Sequence, residues 1–190
     1  SGATCNGSNF SNANLVRANL NEVVGFSACF KNANLNKAIL TEADFYNADF
    51  TGANLHAAHL ERANLAEATL ESVAARNAQF SDANLNKVDA LKGDFCHAVF
   101  DRADLTEALL IHVVARNAQF SDANLSTVDA LCGDFCHAVF DRADLTEAIF
   151  TQAELDKAHL LHAQMEDARF DGATFQSAVL IGSSLRNADL

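Results

Sequence analysis

Residues 75–108, which read ARNAQFSDANLNKVDALKGDFCHAVFDRADLTEA, organise this chain because they recur almost unchanged at residues 115–148. The two copies match at 31 of 34 positions and differ only at Asn86/Ser126, Lys87/Thr127 and Lys92/Cys132. They are offset by 40 residues, and within each copy a shorter unit recurs, as in Ala-Asp-Leu-Thr-Glu at 103–107. The whole chain can therefore be divided into units of five residues.

The five-residue period runs through all 190 residues without an insertion, which makes 38 units. We call the residue at each multiple of five, from Cys5 to Leu190, the centre of its unit. Thirty-one centres are Leu or Phe, and the residue two before the centre is Ala in 29 units. Every charged residue occupies one of the other three positions. Apolar and polar positions are thus strictly separated along the chain.

A period of five excludes an amphipathic α-helix, because successive centres would rotate by about 140° around the helix axis. The two apolar positions of a unit are two residues apart, which places them on one face of a short extended segment. The two or three polar residues that follow then turn the chain. Repetition of this pattern predicts an all-β solenoid that is lined with Ala and Leu or Phe and is polar outside.

The units also resemble a known family. Ala13-Asn14-Leu15-Val16-Arg17, Ala53-Asn54-Leu55-His56-Ala57 and Ala143-Asp144-Leu145-Thr146-Glu147 are similar to the A(D/N)LXX motif of pentapeptide repeat proteins, and the resemblance covers all 38 units. It implies a right-handed quadrilateral parallel β-helix with four units, or 20 residues, per coil and about 9.5 coils, roughly 45 Å long. Residues 1–190 would form a single domain. The 40-residue offset fits two such coils, although other divisors of 40 would fit as well.

With 20 residues per coil, side chains 20 residues apart stack on one another. Phe80, Phe100, Phe120 and Phe140 are then expected to form an aromatic ladder on one interior face. Small residues at neighbouring centres would make room for these rings, as close packing requires. They are Ala75, Ala90, Ala115 and Ala130.

Composition narrows the class of protein. The formal net charge of −12 argues against direct binding to nucleic acid or to an anionic membrane, and it would suit a basic protein partner. No apolar run approaches the ~20 residues of a transmembrane helix, and no signal peptide is recognisable. Five Cys at irregular spacings favour reduced thiols in a reducing compartment. Because the chain does not open with Met, its natural start is open, and the cytoplasm is only the starting expectation.

Sorting the outward positions into four faces concentrates the negative charge on one of them. The face with centres 5, 25, 45 and onward to 185 sums to −6, with Lys87 and Arg186 as its two cations. We call it the acidic face and expect it to contact a partner. Its acidic residues are Asp44, Glu67, Asp104, Glu107, Asp144, Glu147, Glu166 and Asp167.

The next face, with centres 10 to 190, carries aliphatic residues at positions that should be polar. Leu91, Ile111 and Leu131 follow their centres, and Leu109 and Ile149 precede theirs. Scattered exposed aliphatics are ordinary on protein surfaces, but a contiguous patch indicates a contact surface. We call these five residues the apolar patch and expect either a homodimer seam or a partner site there.

Chemistry is weakly indicated. Cys96-His97 and Cys136-His137 repeat, but adjacent side chains point apart and no CxxC pair is present, so we expect no metal and no cofactor. Stacking of these cysteines with Arg76 and Arg116 could lower the thiol pKa and support a redox role, against the simpler interpretation of inert thiols. A convex rod with a filled interior offers no cleft for catalytic residues, so the protein is expected not to be an enzyme.

The leading hypothesis is a non-enzymatic protein-interaction scaffold, of the kind that pentapeptide repeat proteins form in many bacteria. Because the repeats run in register to both ends, we expect either a fragment of a larger protein or coils that pair end to end as a homodimer. The alternative is a DNA mimic that binds a type II topoisomerase, as the quinolone-resistance members of the family do. About 27 phosphate charges on a ~45 Å duplex exceed the net charge here, which disfavours it. The near-identical copies also admit an engineered repeat.

Overall fold

Parallel β-bridges between residues 20 positions apart build the computed structural model, which describes residues 2–190. The residue before each centre pairs with its counterpart in the next coil, from Thr4 with Val24 to Arg169 with Asp189. All 34 bridges are parallel and isolated, so residues 2–190 contain no helix and no continuous strand. Equivalent units of successive coils therefore lie on top of one another. The chain is a β-solenoid, as its period predicts.

Backbone hydrogen bonds of two kinds hold the coils. Between coils, Leu15 donates its N–H to the carbonyl of Asn34 at 2.8 Å, and Asn34 donates to the carbonyl of Ala13 at 2.9 Å. Within a coil, the N–H of Ala18 closes a β-turn on the carbonyl of the centre Leu15 at 2.9 Å. From Gly7 to Asp167, the second turn residue of each unit also donates to the next coil, as Arg17 does. Only the N–H of the residue after the centre lacks a backbone partner in this scheme.

The Asn or Asp that precedes the centre supplies that missing partner. Its Oδ1 accepts the N–H two residues later, for example from Thr106 to Asp104 at 3.0 Å and from Ser126 to Asn124 at 3.0 Å. This side chain-to-backbone bond is the Asx turn, which Asn and Asp favour. With this bond, every backbone N–H of such a turn has a hydrogen-bond partner. Where Asn or Asp precedes the centre, it therefore serves the turn. Elsewhere the same N–H can bond the previous coil, as Ser121 donates to Oδ1 of Asp101 at 3.1 Å.

The second residue after each centre has a left-handed backbone. Its φ lies between 52° and 76° at every such position from Gly7 to Asn187, and only four of these residues are Gly. L-residues other than Gly, Asn and Asp are disfavoured there by contact of Cβ with the backbone. From Gly7 to Asp167, the hydrogen bond of each such residue to the next coil holds it in place. Repetition thus imposes a strained conformation that no single turn would require.

The interior is filled by aromatic stacks that change sides along the rod. In one stack, the ring centroids of Phe30 and Phe50 are 4.8 Å apart. Further along the rod, the ring centroids of Phe100 and Phe120 are 4.9 Å apart, in a second stack that lies two units away around the coil. The second stack is the four-ring ladder, with centroids 4.8–4.9 Å apart, interplanar angles of 2–4° and rings at most 3% exposed. Where the ladder occupies its side, the opposite stack holds Leu and Ala. The inner positions are buried from Val23 to Phe170. Beyond that range they are half-buried, except for Ala3 and Leu190, which are exposed.

Gly93 and Gly133 stand where most units have Ala, and their missing Cβ lets an aromatic ring lie back against the backbone. A Cβ at Gly93 would fall 2.4 Å from Cε2 of Phe95, and one at Gly133 would fall 2.4 Å from Cε2 of Phe135. These rings in turn meet the ladder edge-on, Phe95 at 5.6 Å from Phe100. The two glycines are therefore part of the core packing.

Candidate interaction surfaces

Seven of the eight acidic residues of the acidic face lie in two columns of side chains that the solenoid register stacks, and Glu166 lies directly after its centre. Asp104 and Asp144 belong to the column before the centres, where they are half-buried and accept the N–H bonds of the turns. Glu107 and Glu147 belong to the column of left-handed turn residues and are exposed. The exposed column therefore presents its charge to solvent, and the half-buried column adds charge behind it.

Most carboxylates of the acidic face have no cationic neighbour. Among residues 2–190, Glu107 is the only one of its eight acidic residues with an ion-pair partner, Lys87 at 3.7 Å. Asp167 and Glu166 accept bonds from neutral side chains instead, from Asn187 at 2.9 Å and Ser184 at 2.5 Å. The negative charge of this face is thus left largely uncompensated.

A neighbouring corner shows the opposite arrangement. Acids and arginines alternate there, and the guanidinium of Arg102 binds Asp82 through two bonds of 2.7 and 2.8 Å. Arg142 binds Asp122 in the same way at 2.6 and 2.6 Å. These hydrogen bonds hold the pKa values of Asp82 and Asp122 below the usual range for Asp. Because its charges are paired, this column contributes little to the net electrostatic field around the protein.

The charge also changes along the rod. Residues 1–95 contain 7 Lys or Arg and 10 Asp or Glu, whereas residues 96–190 contain 6 and 15. Two of the three differences between the duplicated copies, Lys87/Thr127 and Lys92/Cys132, remove a cation from the second copy. Both occupy exterior turn positions. The duplication therefore preserved the core and made the second half of the rod more acidic.

The apolar patch is less exposed than its sequence suggests. Leu91, Ile111 and Leu131 occupy one column in successive coils, where they and Ile149 are half-buried. Leu109 is the most exposed member, at 41%. Asp89 and Asp129 stand beside the patch as bridge partners of Leu109, and their carboxylates accept the N–H bonds of Leu91 and Leu131 at 3.1 Å. The patch is thus a narrow apolar column edged by carboxylates.

Two aromatic residues on the acidic face were missed by the reasoning from the sequence. Phe26 and Tyr46 follow their centres, lie in adjacent coils and are each 40% exposed. The aliphatic residues Val16 and Ile39 are similarly exposed on other faces, at 42% and 40%. Sorting every aromatic residue by its position in the unit would have found the pair, because all other aromatic residues are centres.

The suggestion that arginine neighbours lower the thiol pKa values is wrong. Burial, followed by the Asp134 and Glu154 carboxylates, raises the pKa of Cys136 to about 11. Burial and Asp94 likewise raise the pKa of Cys96. The nearby guanidiniums bind carboxylates, as Arg116 does Asp134. At Cys96, burial and Asp94 outweigh Arg76, which lowers the pKa of that thiol.

One group of possible metal ligands occurs among residues 2–190. Ligand atoms of Asp134, Cys136 and Glu154 all lie within 4.8 Å of one another. Arg116 already binds the Asp134 carboxylate and lies 4.0 Å from Glu154, so a guanidinium holds the cationic place beside these side chains. The residue 40 positions before Glu154 is Val114, so the group has no counterpart beside the first copy. Of the two Cys-His pairs, only Cys136 belongs to the group.

Two general features complete the surface. Within residues 2–190 no pocket is present. No helix in the same range has the length and apolar character to cross a membrane.

Comparison with known proteins gives a family-level match along the chain. The family model described as pentapeptide repeats matches this chain in eight copies. The matched residues are 1–24, 28–65, 63–102, 94–126, 133–160 and 153–190. None of the curated proteins matches the sequence.

Several solved structures resemble the fold. QnrB1, a plasmid-mediated fluoroquinolone resistance protein, is 16% identical with a TM-score of 0.50, over 93% of this chain and 91% of that one. HetL, involved in heterocyst differentiation regulation in the cyanobacterium Nostoc sp. strain PCC 7120, is 25% identical with a TM-score of 0.34, over 97% and 87%. A thylakoid-lumen pentapeptide repeat protein of Arabidopsis thaliana is 22% identical with a TM-score of 0.41, over 59% and 64%.

Proposed function

This chain belongs to the pentapeptide repeat family, and on that premise we propose that it is a non-enzymatic module that binds a basic protein partner through its acidic face. The proposal extends to the finer architecture that the family implies. Residues 1–190 form a single domain, a right-handed quadrilateral β-helix of about 9.5 coils. Four flat sides then give the acidic face the shape of a straight strip along the rod.

The observation that carries the proposal is the contrast between two surfaces of the same rod. In the column where acids and arginines alternate, the carboxylates are paired with arginines, as Asp82 is with Arg102. Carboxylates of the acidic face have no ion-pair partner within residues 2–190, except Glu107. Stacked unpaired charges repel one another, and a cationic partner would relieve that repulsion. Such complementarity also raises the rate of association.

Neutralising the exposed carboxylates tests the proposal. The probe is a nona-lysine peptide, titrated calorimetrically into the protein at 50 and 150 mM salt. We expect the neutralised variant to bind at least about four-fold more weakly, since four charges are removed and each exposed charge pair contributes about 0.2–1 kcal/mol. The difference in affinity between the parent protein and the variant should narrow at the higher salt concentration, because exposed charges are screened. The variant carries Glu107→Gln, Glu147→Gln, Glu166→Gln and Asp167→Asn.

A matched control separates this face from total charge. The control also removes four negative charges, all from Glu residues on other faces. If the two variants lose affinity equally, binding follows net charge and the acidic face has no special role. If the parent protein binds nona-lysine no better than the neutralised variant of the acidic face does, the basic-partner proposal fails. The control carries Glu22→Gln, Glu61→Gln, Glu71→Gln and Glu154→Gln.

The apolar patch is a second candidate contact surface, and we propose that it acts as a homodimer seam. The supporting feature is the run of Leu91, Ile111 and Leu131 in three successive coils beside exposed Leu109. Changing the three column residues to Ser should convert dimers to monomers in light scattering. A molar mass identical to that of the parent protein would contradict this assignment.

A DNA mimic that binds a type II topoisomerase is the alternative function, and the acidic rod favours it. Against it, the arginines of the alternating column interrupt the negative charge on one side, whereas duplex DNA carries about one charge per 1.7 Å. A gyrase supercoiling assay with and without ciprofloxacin distinguishes the two functions. The alternative requires inhibition of supercoiling or protection from the drug at micromolar protein.

A further inference from the structure

An exposed aromatic pair lies at the N-terminal part of the acidic face. Phe26 and Tyr46 are each 40% exposed, and the residues before their centres, Val24 and Asp44, are joined by a parallel bridge. The two rings therefore occupy equivalent positions in adjacent coils. Aromatic side chains are enriched at protein interfaces and in their hot spots, because they bury a large area with few rotatable bonds.

Tyr46 is held in place before any partner arrives. Its hydroxyl donates a 2.7 Å hydrogen bond to Oε2 of Glu67 in the next coil. To reach that carboxylate the side chain extends past Ala66, which is only 9% exposed although its position faces outward. The Tyr46 backbone N–H is also bonded, at 3.3 Å to Oδ1 of Asp44. A ring fixed in this way loses little conformational entropy on binding.

The acidic face carries negative charge and no positive charge in the three coils around the pair, and its first cation, Lys87, lies one coil beyond Glu67. The units that contain the two rings and the unit above them run over 24–27, 44–47 and 64–67, and none of these residues is Lys or Arg. Asp44 and Glu67 supply two carboxylates, and neither has an ion-pair partner within residues 2–190. A cation placed against the rings would meet π-faces and carboxylates together.

We propose that Phe26 and Tyr46 bind an arginine side chain of a basic partner segment. The guanidinium stacks on the aromatic rings and pairs with Glu67 or Asp44, while the rest of the segment follows the acidic columns toward Glu147. Arginine fits better than lysine because its planar guanidinium stacks on rings and bonds carboxylates through several donors. This assignment rests on the proposed function, since it names the partner's chemistry on the same acidic face.

Tyr46 itself reports on the site, because it is the only Tyr in a chain without Trp. The parent protein is titrated with nona-arginine and nona-lysine peptides that have blocked ends, with tyrosine emission as the readout. Nona-arginine is expected to change the emission with the same Kd that calorimetry gives for binding. The parent should also prefer nona-arginine to nona-lysine, which carries equal charge.

Replacement of the rings tests the stacking directly. Phe26→Ser should weaken nona-arginine binding by roughly 2- to 5-fold, the range for an exposed cation–π contact. Phe26→Ser with Tyr46→Ser should lower the preference for arginine over lysine, which neither net charge nor misfolding would do. The matched control is Val16→Ser, at a similarly exposed apolar residue on another face. It should leave both affinities and their ratio unchanged.

The possible outcomes distinguish failure of the aromatic site from failure of the proposed function. If Tyr46 emission is constant at saturating nona-arginine, or the arginine preference survives in the double variant, the aromatic site is refuted. The proposed function then still stands if the four-carboxylate variant of the acidic face loses binding. If the parent protein binds neither peptide, the proposed function and the aromatic site fail together.

Discussion

Replacing Gly93 or Gly133 by Ala, the residue that most units carry at this position, should destabilise the protein. The added Cβ at Gly93 would lie 2.4 Å from Cε2 and 3.0 Å from Cζ of Phe95, and 3.1 Å from the carbonyl oxygen of Ala90. Carbon atoms do not approach to 2.4 Å without a shift of one of them. Phe95 is 3% exposed and packs edge-on against Phe100, so its ring has little space to move.

The magnitude follows from two opposing terms. Overpacking a close-packed core costs about 1–3 kcal/mol. Gly-to-Ala replacement lowers the entropy of the unfolded chain, which stabilises by about 0.4–1 kcal/mol where the backbone allows Ala. The net loss is therefore about 0–2.6 kcal/mol with a middle value near 1.3 kcal/mol, or up to roughly 10 °C in Tm for a chain of this length. Gly133 has the same contacts with Phe135, so its variant should lose the same amount.

Thermal and urea denaturation of the single and double variants checks this reasoning. In a Phe95→Leu background the obstructing ring is gone, so Gly93→Ala should become neutral or stabilising. The coupling between the two sites should then lie within the 0.5–3 kcal/mol typical of residues in contact. If Gly93→Ala stabilises the protein while Phe95 is present, or if Phe95→Leu leaves its effect unchanged, steric contact with the ring is not what the glycine relieves.

Three further predictions concern single side chains. Thr127→Gly should raise stability by about 1 kcal/mol in urea denaturation, because a β-branched residue there has a φ of 57°. The Glu67 carboxylate raises the pKa of Tyr46 through their hydrogen bond, so Glu67→Gln should move the absorbance titration of the only Tyr to lower pH. Glu154→Gln should lower the pKa of Cys136 from about 11 and speed its alkylation at pH 8, since more thiolate is then present.

The acidic face shows which features the five-residue period predicts and which features it does not. The period assigns Glu107 and Glu147 to one column, and the structure places them in equivalent exposed positions. Pairing depends on side-chain distances, so only the structure distinguishes unpaired Glu147 from Asp122, which Arg142 neutralises. The same limit explains the error over Cys136. A stack of Arg and Cys residues suggests a stabilised thiolate, but the guanidinium binds the carboxylate of Asp134 instead.

The solenoid itself could be derived from the residues alone, because a strict five-residue period leaves one arrangement that buries every Ala and Leu or Phe while exposing every charge. The stacking of Phe100 on Phe120 follows once the coil length is known. Tertiary structure decided what depends on contacts in three dimensions. The ring of Phe95 needs Gly93 beneath it, and Tyr46 extends across a coil to Glu67. Such contacts depend on side-chain rotamers and neighbouring coils, which a one-dimensional period does not encode.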